Sequence, residues 1–438
     1  MSDHDIVVVG AGAKAAAIAA KAHVLNELGL ASLDVLIVEH HEPASTWTGK
    51  FGFSAGAELL GTRPEKDIGF PYQSAESFGR AGGLVDAAMT RFSWQSYLVS
   101  TGAYSRWIDS GLPGTTHTEF AYYLKWVFAK AGASIRLKRA KVISVDHGGA
   151  GWMVRCAADS GEPDTVCARL GLIVTGPGLP RRLPGSANGD GRLVSADISR
   201  ARLGSIPLPP CARVCIVGAG ESAVAMALFL LARHGESISV TFVSSSLPYS
   251  RLESYLENVV YSQPQAASWA ELPEEIRYEF IRRTDRGVMS PAAVSRLVEY
   301  QNVSFRLGRV VSVNAAGNRL RIDIEQHGRI TKDEFDLIVN CTGFCPLTQI
   351  RSLLSARSVR YVEKQVGALL DDQTAIARLI DSSLSLPRVR PNLHVPALSA
   401  LAQGPGFANL SCLGALSDRV LAEYCTMIGA VGTRSRAS

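Results

Sequence analysis

The sequence has no apolar run near the roughly 20 residues needed to span a bilayer; its most apolar stretch, Ala223 to Ala232, is far shorter. The opening residues MSDHDIVVVG carry acids where a secretory leader carries a basic segment, so export is not expected and the cytoplasm is. The eight cysteines form no CxxC pair and no metal-ligand spacing, and the nine histidines form no HxxxH or HExxH pattern. A metal centre is therefore not expected, and reduced, mostly buried thiols are. No Ser/His/Asp or paired-carboxylate constellation is visible. The net charge of +5 is spread along the chain, giving no footprint for nucleic acid. With 47% hydrophobic and 19% charged residues over 438 positions, the chain can build two sizeable cores.

What is present is one device used twice. The segment DIVVVG is a short apolar run of the kind that forms a central parallel strand, and Gly10, Gly12 and Ala15 follow it as G-x-G-x-x-A. The first glycine permits a tight turn and the second lets backbone approach a pyrophosphate. The small third residue lets helix and strand pack closely. The next strand, LDVLIVE, ends at Glu39, where an acid can bind a ribose hydroxyl pair. The second copy is VCIVGAGESAVAMA, with Gly218 and Gly220, then Ser222 and Ala223 on the opening helix. Its following strand ends in Ser244, Ser245 and Ser246, with Arg251 shortly after, and has no acid at the ribose position. Hydroxyls and an arginine accommodate a 2′-phosphate that an acid would repel. The contrast predicts FAD in the first cradle and NADPH in the second.

Two further apolar strands, in LGLIVTGPGLP and FDLIVNCTGF, end in Thr-Gly, and IPLPPCAR reads as a hinge. The expected fold is α/β with two Rossmann-like domains, the NADPH domain inserted into the FAD domain. The expected borders are residues 1–212 for the first part of the FAD domain, 213–336 for the NADPH domain and 337–438 for the second part. One cofactor delivers hydride and the other receives it. A disulfide reductase would need a redox cysteine pair; Cys341 and Cys345, with three residues between them, read as structural. Oxygen is then the natural electron acceptor.

The segments GAGAKA, GTRPEKDIGFPYQS, FSWQSYL, TEFAYYLKWV, GAGESA, RTDRGV, NCTGF and QGPGFANLSCLGALSDRVL carry a resemblance. Spread over nearly the whole chain, they resemble the flavin-dependent N-hydroxylating monooxygenases of siderophore biosynthesis, and within these the mycobactin-type lysine enzymes. The resemblance implies hydroxylation of the side-chain amine of an amino acid, L-lysine first, with FAD, NADPH and molecular oxygen, through a flavin C4a-hydroperoxide. The cofactor carries the hard step, so no catalytic side chain is expected beyond those that position substrate.

Lys66 matches the family lysine that holds the α-carboxylate. Asn258 falls near the family asparagine that contacts substrate, with the spacing off by one residue. Ser417 matches a serine near the substrate's α-end, and Trp47 an aromatic after the ribose strand. Asp285 stands where many ornithine enzymes have asparagine and Gly61 where many have glutamine, which favours the lysine subgroup. The same chemistry on ornithine, another amine or an acylated lysine is the alternative, as is a non-hydroxylating NADPH-dependent flavoprotein. The resemblance also implies a homodimer or tetramer.

Overall fold

The computed structural model describes residues 2–435 apart from 53, 133, 159, 160, 162, 186–188 and 266. Its first sheet is built on β1 (Ser2–Val9), β2 (Val35–Glu39), β3 (Ile135–Arg139), β4 (Lys141–Gly148), β5 (Gly151–Ala157) and β6 (Asp164–Val174), in the spatial order β3-β2-β1-β6-β5-β4. β1 pairs in parallel with β2 and β6, and β2 with β3, whereas β4, β5 and β6 run antiparallel. The long β6 serves both arrangements. Its first half pairs with β5, and its second half with the parallel strand Asn392–His394. The run Ile6, Val7 and Val8 is fully buried because helices cover both faces.

Helix α1 (Ala13–Glu27) crosses from β1 to β2 and is buried along most of its length. Alanine at 15, 16, 17, 19, 20 and 22 lets the sheet, the helix His117–Ala131 and the C-terminal helix Leu413–Ser435 all approach it closely. One lysine lies inside that packing. Lys21 is fully buried, pairs with Asp418 of the C-terminal helix and donates to Ser74 Oγ at 2.8 Å.

The second sheet has five parallel strands in the order Val303–Leu307, Ile238–Ser244, Ala212–Val217, Leu337–Asn340, Leu193–Ser195. It takes one strand from before residue 213 and one from after 336, so both expected borders fall inside it. An antiparallel meander, Arg309–Ala316, Arg319–Gln326 and Arg329–Phe335, packs on its face through Val313, Leu320, Ile322, Ile324 and Phe335. Among the described residues, no helix is long and apolar enough to cross a membrane.

Candidate active site

A cavity of about 940 Å³ is lined by the segments that leave the carboxyl ends of seven parallel strands: Gly10–Lys14, Glu39, Thr175–Pro177, Gly218–Ser222, Ser244–Ser246, Gly308–Arg309 and Cys341–Phe344. Ligands of open α/β sheets bind there, and here two sheets turn those ends toward one space. Both Thr-Gly turns, at Thr175 and Thr342, line it.

On the first sheet's side, Gly10 has φ +96°, and a Cβ there would press on Thr175 Oγ1 at 3.0 Å. A Cβ at Gly12 would meet none of the described atoms within 4 Å, so that backbone faces open space. The first turn of α1 holds no acid, and no side chain caps its N–H groups among the described residues. Such a helix end is an anion site, and it fits a pyrophosphate. Ala15 is fully buried between helix and strand. Glu39 lines the cavity and also organises the loop, accepting from Ala11 N (2.9 Å), His41 N (3.0 Å) and Ser45 Oγ (3.3 Å). Trp47 lines the cavity and packs edge-on against His117 at 4.8 Å.

The second cradle repeats this geometry. Gly218 has φ +124°, and a Cβ there would collide with the Cys341 carbonyl at 2.5 Å. Ala223 is fully buried, and Ser222 lines the cavity. Glu221, in the first turn of the helix Glu221–His234, would oppose a phosphate, but its carboxylate is turned onto Ser290 N (2.7 Å) and Oγ (2.9 Å). Gly220 faces Gly287 of the Asp285–Gly287 turn, which also lines the cavity.

The residues aligned for a 2′-phosphate separate. Ser244, Ser245 and Ser246 line the cavity, whereas Arg251 does not. Arg251 pairs with Glu253 at 2.5 Å and donates to the Gly61 carbonyl at 3.2 Å, filling the space beside the residue that has no side chain. The arginine beside the serines is Arg309, whose neighbour Gly308 donates its N–H to the Ser244 carbonyl at 2.8 Å. Nothing along the sequence marks Arg309, because 58 positions of chain separate it from Arg251 and a strand intervenes.

The substrate candidates also separate. Lys66 and Asn258 meet in a 2.6 Å hydrogen bond from Nζ to Oδ1, and burial draws the Lys66 amine below its ordinary pKa. Asp285 lines the cavity; burial pushes its pKa up against the pull of Arg286, Asn409, Arg251 and Lys14. Ser417 is buried, and its hydroxyl donates to the Gly414 carbonyl at 2.8 Å. Lys14 lines the cavity as well, a site residue outside those expected from the sequence. A cation in the first turn of a helix opposes the helix dipole, and that opposition was the available signal.

Cys341 and Cys345 are free thiols on separate contacts: Cys341 faces the Ser222 carbonyl, and Cys345 Sγ lies 2.9 Å from Gln373 Oε1. Burial pushes the Cys341 thiol up to about 12, which removes the thiolate a disulfide relay needs.

The L-lysine 6-monooxygenase/L-ornithine 5-monooxygenase family model matches residues 85–346. L-lysine N6-monooxygenase MbtG of Mycobacterium tuberculosis is 36% identical over 423 residues, 95% of this chain and 94% of that protein. The structure of lysine monooxygenase NbtG from Nocardia farcinica is 35% identical, with a TM-score of 0.82 over 96% of this chain and all of that one. The Kutzneria ornithine N-hydroxylase KtzI shares the fold at a TM-score of 0.73 and 17% identity, over 97% of this chain and all of that one. With a family model across more than half its length and relatives above 30% identity along nearly all of it, this chain belongs to the L-lysine 6-monooxygenase/L-ornithine 5-monooxygenase family.

Proposed function

We propose that this protein is an FAD- and NADPH-dependent monooxygenase that hydroxylates the side-chain amine of L-lysine for siderophore biosynthesis. The carrying observation is a single cavity entered by two glycine cradles, each on a helix N-terminus without a side-chain cap among the described residues. Bound together, the two cofactors supply the electrons that activate molecular oxygen. The chain's own work is to bind, orient and exclude water. Gly10, Gly12 and the first turn of α1 hold the flavin nucleotide, with Glu39 at its ribose. Gly218, Gly220 and Ser222 hold the nicotinamide nucleotide, with Ser245 and Arg309 at the 2′-phosphate.

Lys66, steadied by Asn258, receives the substrate's α-carboxylate. That ion pair selects an amino acid over a simple diamine. The preference for lysine over ornithine rests on relatives at 35–36% identity that are lysine N6-monooxygenases. We place the enzyme in the cytoplasm and expect a homodimer or tetramer, which a sizing measurement would report.

The test is an amine panel of L-lysine, L-ornithine, cadaverine and N6-acetyl-lysine, scored by hydroxylamine formation. NADPH loss alone would not serve, because uncoupled oxidation produces it too. The highest kcat/KM is expected with L-lysine, and a panel led by cadaverine would overturn the assignment of Lys66.

A further inference from the structure

An ammonium has no lone pair, so the substrate amine must lose a proton before it can be oxidised. We propose that Lys14 is the base that takes this proton while Asp285 holds the amine, an inference that rests on the lysine-hydroxylase reading above.

The Ala408 carbonyl accepts from Lys14 Nζ at 2.8 Å. Lys14, Asp285, Ala408 and Asn409 all line the one cavity, and the Lys14 and Asp285 charges act on each other there. Lys66 does not itself line the cavity, so a substrate held at Lys66 by its α-carboxylate must reach the Lys14–Asp285 corner with its side chain. The other acids among the described residues lining the cavity are Glu39 and Glu221, and both are taken up by backbone amides.

A carboxylate alone would favour the ammonium form and oppose reaction. Lys14 supplies the acceptor, because its lowered pKa leaves a neutral fraction beside the carboxylate that can take the substrate proton as the free amine is consumed by reaction. The substrate N–H bond breaks with its electron pair left on nitrogen, and a new N–H bond forms on Lys14 Nζ. That proton leaves to solvent through the cavity before the next turnover.

The surroundings suit the task. Burial pulls the Lys14 amine down to about 8, against Cys412 and Asp285, and the positive end of α1 favours the neutral form. Facing these groups are Arg286 and Arg251 on Asp285, and Arg419 and Lys66 on Cys412.

The experiment measures hydroxylamine formed per bound flavin from pH 6.5 to 9.5 in wild type, Lys14→Met and Lys14→Arg. Each is given L-lysine or S-(2-aminoethyl)-L-cysteine, whose amine is less basic. Anaerobic flavin reduction by NADPH is followed in parallel. Wild type should level off above about pH 8. Both variants should lose roughly 100-fold or more near pH 7.5, recover steeply with pH, and lose less with the less basic analogue.

A wild-type pH profile in Lys14→Arg would show that only the fixed charge matters and would overturn the base assignment. So would an unchanged profile in Lys14→Met. If Lys14→Met loses FAD, Lys14→Arg carries the comparison by itself. A wild type that makes no hydroxylamine from lysine would refute the function reading instead.

Discussion

Lys66 and Asn258, 192 residues apart in the chain, are joined by a 2.6 Å hydrogen bond. It ties the loop after Pro64 to the helix Tyr255–Ser262, which follows the second sheet's Ser244–Ser246 turn. The amine has one partner already and two N–H bonds left for a carboxylate. Lys66→Ala should raise the KM for lysine about 10- to 150-fold, the range of a charge-assisted hydrogen bond worth roughly 1.5–3 kcal/mol. Asn258→Ala should raise it less, because the cation stays. Flavin reduction by NADPH should change little in either variant. Steady-state kinetics at saturating NADPH decide this, and an unchanged KM in Lys66→Ala would remove that residue from the site.

Arg309 lines the cavity with Ser245, whereas Arg251 is committed to Glu253 and the Gly61 carbonyl. Arg309→Ala should therefore weaken NADPH by about tenfold while leaving NADH nearly untouched. Arg251→Ala should alter the ratio of the two far less. A loss of NADPH preference in Arg251→Ala alone would reassign the phosphate site.

Asp67, next to Lys66, is buried, and its carboxylate accepts from Trp94 N (2.9 Å), Gly69 N (3.0 Å) and Tyr72 Oη (2.8 Å). Burial outweighs these bonds and raises its pKa to about 6. The folded state thus binds this proton more tightly than the unfolded chain, where the value is about 3.9. The sign follows: this group's contribution is greatest below about pH 4 and is lost as pH rises through about 6, to a limit near 3 kcal/mol. The stability of wild type minus that of Asp67→Asn, from urea midpoints at pH 4.5 and pH 7, should fall as pH rises. A rise in that difference would contradict the burial argument.

Lys21, Asp418 and Ser74 form a buried polar cluster that ties α1 to the start of the C-terminal helix, beside Ser417. Removing one member leaves a buried charge unpaired, which typically costs about 3–5 kcal/mol. Lys21→Met should lower the denaturant midpoint by that equivalent, and Lys21→Met/Asp418→Leu should recover part of it. A double variant less stable than the single one would show that the pair itself is favourable.

Both cradles were legible in the sequence because their signals are local. An apolar strand, fixed glycine spacing and a small residue on the helix are read within fifteen positions, and each lands where the spacing put it. The domain borders were less legible, since Leu193–Ser195 and Leu337–Asn340 join the second sheet by pairing that leaves no local mark. The roles of arginines were the least legible. Arg251 and Arg309 look alike along the chain, and only the parallel register at Ser244 and Leu307 sets Arg309 beside the serines. Lys14 was in plain view in GAGAKA, but its meaning depends on Ala408, nearly four hundred residues away, and on Asp285, which lines the same cavity.

On the function proposed above, this chain transfers one atom of molecular oxygen to the side-chain nitrogen of L-lysine. The most direct measurement supplies purified holoenzyme with NADPH, L-lysine and ¹⁸O₂, then weighs the product by mass spectrometry. The expected product is N6-hydroxylysine carrying a single ¹⁸O, with NADPH consumed. Labelled hydrogen peroxide as the sole oxygen product, with lysine unchanged across the pH range, would contradict it.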